Sequence, residues 1–280
     1  MSNIKERAAL INKEAALMGK KVYSGETPKN TTFRKDLQKV KSKVVTLDDA
    51  IRLSGLKDGM TISFHHHFRS GDKVVNMVVG RLAEMGFKNL HLAASSLSDV
   101  HAPLIEHIRN GVITKISTTG LRGELAKEIS HGLMKEPVIF RSHGGRGSDI
   151  ANDDLHIDVA FLAASACDPA GNASGYSRSP NAKSICGSLG YAKPDAQHAD
   201  KVVIITDDLV DYPNTPNSIS EHDVNYVVLV DSVGDSSKIS SGAIRDTKNP
   251  RDILLAMNAA KVIINSGYFK EGFSLQTGSG

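Results

Sequence analysis

The sequence predicts an α/β protein with an open, largely parallel sheet, flanking helices and a helical arm at the amino terminus. Three observations lead there. From Leu47 onward, helix-like and strand-like segments alternate, as successive βα units do. Two later runs, 202–206 and 224–230, are nearly all apolar and β-branched, as strands covered on both faces are. Polar, glycine-bearing stretches recur just after the strand-like runs, where open α/β sheets bind ligands.

Residues 1–44 are polar, rich in Lys and without strand-like runs. They predict an amphipathic helix over about 4–18 and a loosely ordered connection through 27–32. The basic cluster Arg34, Lys35, Lys39 and Lys41 reads as a solvated helix face rather than a polyanion site. Thr46 is the expected N-cap of a helix over 47–54, ended by Gly55. A strand over 60–64, a helix over 73–85 closed by Gly86 and a strand over 90–94 follow. Next come a helix over 103–110 closed by Gly111, a strand over 112–117, a helix over 123–131 and a strand over 137–140. An apolar run over 158–163 leads to the turn-like Asp168-Pro-Ala-Gly-Asn172. After the two β-branched strands, 250–260 reads as a helix with Pro in its first turn and 262–265 as a last strand. Residues 273–280 read as a strand running into a Gly-rich turn, as if opening a further unit. The expected domains are therefore an arm over 1–44, an α/β domain over 45–265 and the start of a second over 266–280.

The 280 residues suffice for one large or two modest domains. A net charge of +3 is too small to argue for nucleic acid, and no run of about 18 apolar residues argues for a membrane span. Cys167 and Cys186 are too few for a disulfide framework. A cytoplasmic protein with neither nucleic acid nor membrane as partner is expected.

The densest chemistry is Thr61-Ile-Ser-Phe-His-His-His-Phe-Arg69. Three imidazoles with ordinary pKa values near neutrality and one permanent cation suit an anionic ligand. The triplet sits inside a patterned segment, unlike a terminal tag. His65 and His67 could share a strand face, but no Cys-x-x-Cys or His-Glu-x-x-His spacing supplies a third ligand, so no metal is expected. Three further stretches follow predicted strands: Ser95-Ser96, Thr118 to Arg122 with Gly120, and Arg141-Ser-His-Gly-Gly-Arg146. In a parallel sheet these ends lie on one edge, so hydroxyls, imidazoles, guanidiniums and glycine N–H groups converge there. That set can bind a carboxylate, a phosphate or a developing oxyanion. Arg141, His143, Gly144, Gly145 and Arg146 are read as a loop whose glycines let the backbone approach a ligand. No Gly-x-Ser-x-Gly elbow supports a serine nucleophile, and Cys186 reads as a small buried residue.

These motifs, with Ser95-Ser-Leu-Ser-Asp-Val-His-Ala-Pro-Leu104, Gly120-Leu-Arg-Gly123, Cys186-Gly-Ser-Leu-Gly-Tyr191 and Asn265-Ser-Gly-Tyr-Phe-Lys-Glu-Gly-Phe-Ser-Leu-Gln-Thr-Gly-Ser-Gly280, resemble the amino-terminal half of the citrate lyase alpha subunit family. The resemblance runs from about residue 45 to 280. It implies a CoA-transferase-like fold, present twice in a full subunit. It also implies exchange of acetyl-carrier protein and citrate for citryl-carrier protein and acetate, through an anhydride rather than an enzyme thioester. The implied partners are citrate, an acyl carrier (gamma) bearing a CoA-like prosthetic group and a citryl lyase (beta) subunit, in a complex containing several copies. No tightly bound cofactor is implied. His65, His66, His67 and Arg69 are the expected catalytic residues. Ser95, Ser96, Gly120, Arg122, Arg141, His143, Gly144, Gly145, Arg146, Gly278 and Gly280 are expected at the substrate. Alone, a half-length chain is expected to hold half a site and to be inactive. A related enzyme for another acid such as citramalate, or an inactive scaffold for lyase and carrier subunits, are the alternatives.

Overall fold

A computed structural model describes residues 4–20, 40–180, 182–239 and 247–275. The chain divides into two units, Met1–Lys39 and Val40–Gly280. In the first, α1 (Ile4–Leu17) exposes Leu10, Ile11 and Leu17. The connection expected over 27–32 lies outside the described residues.

The second unit runs β1 (Val44–Val45), α2 (Leu47–Leu53), β2 (Thr61–Phe64), α3 (Val74–Glu84), β3 (Leu90–Ala94), α4 (Leu104–Arg109) and β4 (Ile113–Thr118). It continues α5 (Gly123–Ser130), β5 (Ile139–Phe140), α6 (His143–Ala151), β6 (Val159–Ala164), β7 (Ala166–Cys167) and β8 (Ala173–Ser174). It ends α7 (Lys193–His198), β9 (Lys201–Thr206), β10 (Tyr226–Leu229) and α8 (Pro250–Asn265). Eight strands form one sheet in the order β1-β10-β9-β6-β2-β3-β4-β5. Every pairing in it is parallel. The short β7 and β8 pair antiparallel beside it.

Local chemistry explains the boundaries. The Thr46 hydroxyl accepts from the Asp49 N–H at 3.1 Å and starts α2, with Asp48 and Asp49 on the positive end of its dipole. Val74, Val75, Val78, Val79 and Leu82 form the buried stripe of α3. All six residues of β6 and the last five of β9 are buried, so these central strands read as unbroken apolar runs.

The strand order creates a topological switch. From β2 the chain adds β3, β4 and β5 on one side, then returns to place β6 on the other side of β2. Diverging connections leave a crevice at the carboxyl ends of β2 and β6. The histidine triplet follows β2 directly.

The structure corrects four expectations. Ser142 caps a helix by accepting from the Gly145 N–H at 3.0 Å, so 143–146 is the first turn of α6 and not a loop. Residues 262–265 complete α8 rather than forming a strand. No breaker intervenes before Gly267, and extending an existing helix avoids the cost of nucleating a new element. Val44–Val45, which straddles the end of the arm expected to lack strands, forms the edge strand β1 because β10 offers it parallel partners. Phe273 donates its N–H to the Lys270 carbonyl at 2.9 Å, a turn bond, and 273–275 is not a strand.

The turn after the triplet is clamped to a distant loop. Asp235 N–H donates to the Gly71 carbonyl at 2.9 Å, and a Cβ at Gly71 would overlap the Asp235 backbone carbonyl. Gly71→Ala is therefore expected to cost about 1–3 kcal/mol through overpacking against backbone that cannot rotate away. For a domain of this size that lowers Tm by about 5 °C. A thermal melt matching the parent would show the clamp to be loose.

Candidate active site

β2 ends at Phe64, whose ring stacks on Phe161 of β6 with centroids 5.6 Å apart. The chain then leaves the sheet. His65 is buried, His66 and His67 are half-buried, Phe68 is buried, and a 3-10 turn spans Arg69–Gly71. The rings of His65 and His67 lie against one another. His66 turns instead to β3, its Nδ1 lying 2.6 Å from the Ser95 hydroxyl.

The four post-strand stretches are joined by hydrogen bonds beyond the strand ends. Ser95 N–H donates to the Phe64 carbonyl at 2.9 Å, Thr119 N–H to the Ser95 carbonyl at 3.2 Å, and Arg141 N–H to the Thr118 carbonyl at 3.0 Å. The Ser96 hydroxyl reaches the Gly120 carbonyl at 3.4 Å, and Arg122 N–H donates to the Leu97 carbonyl at 3.1 Å. His143, at the start of α6, stacks on Tyr191 with centroids 3.9 Å apart, and both rings stand edge-on to His66 at 5.8 Å. The exposed Gly144 and half-buried Gly145 lie in that same first turn. Gly278 and Gly280 lie outside the described residues.

The four arginines divide into two kinds. Arg146 is 1% exposed, and its guanidinium donates to both Asp195 carboxylate oxygens, at 2.8 and 2.7 Å. It also donates to the Ser63 hydroxyl at 2.8 Å and the Ala93 carbonyl at 3.1 Å, while Ser63 itself donates to Asp195. Arg141 pairs with Asp149. Both are thus engaged by protein partners: Arg146 braces α6 against α7 and the sheet, and Arg141 ties the end of β5 to α6. Arg69 and Arg122 are exposed, and no carboxylate among the described residues pairs with either. Arg69 holds a left-handed backbone, φ +49°, unusual without a glycine.

Burial also changes the charge of the triplet. Desolvation holds His65 and His67 well below the usual histidine range, reinforced at His65 by the neighbouring imidazoles and Arg146. Burial, with His143 and Arg69 nearby, lowers His66 to about 4. The three rings are therefore neutral at pH 7, which corrects the expectation of titrating cations. Neither His65 ring nitrogen makes a well-directed hydrogen bond, although the Ala163 carbonyl slightly favours its charged form. His67 Nε2 and Arg146 Nε are likewise buried without a partner. Burial raises both thiols, Cys186 to about 11, so neither is a thiolate nucleophile at neutral pH.

Sequence reasoning missed Asp195, Ser63, Tyr191 and Asp149. Ser63 alternates with apolar residues in a legible strand, and Tyr191 lies in a quoted motif. Asp195 had no motif to mark it. Two concave features also went unforeseen, and none of the triplet lines either. One, of about 570 Å³, is lined by Ser174, Tyr176, Arg178, Asp208 and Asn214, and the other, of about 840 Å³, by Lys73, Lys183 and Asp231.

The all-parallel sheet with polar loops gathered at its switch point is an α/β fold similar to that of CoA-transferases. Glutaconate coenzyme A-transferase from Acidaminococcus fermentans shares that fold, with a TM-score of 0.52 over 67% of this chain and 75% of that one at 15% identity. A family model, citrate lyase alpha subunit, matches residues 39–280. The chain is 56% identical over 279 residues to the citrate lyase alpha chain of Klebsiella pneumoniae, covering 99% of this chain and 54% of that one. It is also 56% identical to a citrate lyase alpha subunit from Streptococcus mutans, solved in complex with citrate, with a TM-score of 0.75 over 85% of this chain and 46% of that one. The chain belongs to the citrate lyase alpha subunit family. It spans about half the length of the curated relatives it matches.

Proposed function

We propose that this chain supplies one wall of a site where citrate exchanges with acetate on an acyl carrier protein. The observation that carries the reading is that both ring nitrogens of His65, and Nε2 of His67, are buried without a well-directed hydrogen bond at the sheet's switch point. Buried polar atoms without partners are costly, and a bound acyl or carboxylate group would satisfy them. The citrate named with the Streptococcus mutans relative supports the choice of acid.

In the exchange, a citrate carboxylate oxygen attacks the acetyl thioester carbonyl, the C–S bond breaks, and the carrier thiolate leaves an acetyl–citryl anhydride. The thiolate then attacks the citryl carbonyl, re-forms a C–S bond and expels acetate. The nucleophiles are already ionised, so no strong base is required. Orientation and oxyanion stabilisation carry the rate. Neutral imidazoles suit this chemistry, because each can donate one N–H to the oxyanion without handing a proton to the departing thiolate. Arg69 and Arg122 are the cations free to meet citrate. Arg141, Arg146, His143, Gly144 and Gly145 shape the wall, and Ser95, Ser96 and Gly120 line its neighbouring loops. A carrier with a CoA-like prosthetic group, a lyase subunit and further copies of this chain are the proposed partners. No described helix is long and apolar enough to cross a membrane, and we place the reaction in the cytoplasm.

The test combines acetyl-carrier protein, citrate and this chain, with and without a polypeptide matching the remaining half of its relatives. Acetate release that requires both halves supports the reading. No release in either mixture favours the scaffold, and citramalate outcompeting citrate favours the sister enzyme. In the active combination, Arg69→Ala is expected to slow citryl-carrier formation at least about tenfold, the loss of one contact of about 1.4 kcal/mol. An unchanged rate would remove Arg69 from the site.

A further inference from the structure

We infer that Ser95 is a positioning residue whose hydroxyl holds His66 as the tautomer with its hydrogen on Nε2. The crevice at the switch point thereby receives one aimed N–H donor. The use made of that donor rests on the proposed exchange, whereas the place of the hydrogen rests on geometry alone.

Counting partners places the hydrogen. Ser95 is 0% exposed, so solvent does not reach its hydroxyl. Its Oγ lies 2.6 Å from His66 Nδ1 and has no second partner among the described residues. A hydrogen on Nδ1 would turn the serine oxygen into an acceptor and strand the hydroxyl hydrogen in the interior. A hydroxyl donating to a bare Nδ1 strands nothing, and a stranded buried donor is costly. Burial, with His143 and Arg69 nearby, lowers His66 to about 4, so the ring is neutral at pH 7 and carries one N–H. That hydrogen sits on Nε2.

The serine is pinned from both sides. Its N–H donates to the Phe64 carbonyl at 2.9 Å, at the end of β2. Its carbonyl accepts from the Thr119 N–H at 3.2 Å and the Thr119 hydroxyl at 2.5 Å, just past β4. The Oγ is therefore held by three strands, and the ring follows it. Both nitrogens of His65 and Nε2 of His67 are buried without a partner, whereas His66 Nε2 is neither closed off nor engaged among the described residues. The stacked rings of His143 and Tyr191 flank the imidazole, and Arg69 acts on it as a neighbouring cation. A thioester or carboxylate oxygen arriving there meets an N–H beside a positive charge, the arrangement that stabilises an oxyanion. Without the hydroxyl the ring can turn over about χ2, which carries the N–H off its target.

Nitrogen NMR reads the tautomer directly. The 280-residue protein, labelled in its histidine rings and free of substrate, is examined at neutral pH by long-range proton–nitrogen correlation, with His66→Gln assigning the His66 signals. The Nε2–H pattern is expected, and in Ser95→Ala it should move toward the averaged pattern of a free imidazole. An Nδ1–H pattern in the parent, or an unchanged pattern in Ser95→Ala, overturns the inference whether or not exchange occurs. In the active combination of halves, Ser95→Ala should lower kcat about tenfold, less than the loss of an entire oxyanion donor. KM for citrate should stay within about twofold, since the donor acts on the transition state. A Ser95→Ala protein with unchanged kcat would also overturn the inference. Absence of exchange in the parent combination would count against the exchange reading alone, and the NMR result would still decide the role of Ser95.

Discussion

Asp195→Ala is expected to unfold this domain about 10 °C below the parent. The substitution leaves the Arg146 guanidinium charged in a site only 1% exposed, after removing two of its hydrogen-bond acceptors. Breaking a buried pair by deleting one partner costs about 3–5 kcal/mol, chiefly because the remaining charge is uncompensated. For a domain of this length each kcal/mol corresponds to about 2–4 °C in Tm. Arg146→Met should be similarly damaging, since it strands Asp195 instead. The double change Arg146→Met with Asp195→Leu should recover much of the loss, because an apolar pair of similar volume needs no counter-charge. Denaturant titration of the two single variants and the double variant gives the coupling. Single variants within 1 kcal/mol of the parent would mean that the pair is solvated, contrary to its geometry.

Stability should also fall steeply as pH drops from 6.5 toward 4. His66 and His91 are each lowered from 6.5 to about 4, chiefly by burial, and His65 and His67 are held well below 6.5 by the same cause. Above 6.5 these rings are neutral whether folded or not, and their contribution does not change. Between 6.5 and 4 the unfolded chain binds protons that the folded chain refuses, so ∂ΔG/∂pH is positive and stability is lost on acidification. One histidine moved from 6.5 to 4 corresponds to about 3 kcal/mol. His66 and His91 are partly open to solvent, and after screening the pair together is expected to contribute about 3 kcal/mol. His156, raised by Asp153, acts in the opposite direction but is exposed. Chemical denaturation at pH 7, 6 and 5 isolates this window from carboxylate titration, and His91→Asn should flatten the slope. A flat profile between pH 5 and 7 would refute the neutral-histidine account.

The contrast between Arg146 and Arg69 shows what was legible in the residues alone. Both followed predicted strands, and both were natural anion ligands. Only tertiary structure shows that Asp195, about fifty positions away, has already taken Arg146. A lone Asp in Lys193-Pro-Asp-Ala-Gln-His198 carries no local signal of that partnership. The parallel sheet, by contrast, was readable because each strand and its helix announce themselves within a dozen residues, and the 90–94 strand falls where its apolar pattern ends. The capping Ser142 was also present in the sequence, but the glycine pair behind it argued for a loop. The imidazoles were misjudged because reference pKa values describe solvated groups, and burial reverses the inference.

The position of β1 has a consequence during synthesis. Val44 pairs with Val227, a partner translated 183 residues later, and β1 touches no other strand of the sheet. At about 5–20 residues per second, the nascent segment waits about 10–40 s for its place. The run β2 to β5 meets its neighbours in the order they emerge and can assemble first. For that interval the two valines of β1 stand outside the growing sheet with unsatisfied backbone, so a pause before β10 emerges lengthens the time in which a chaperone, or a neighbouring ribosome's product, can reach them.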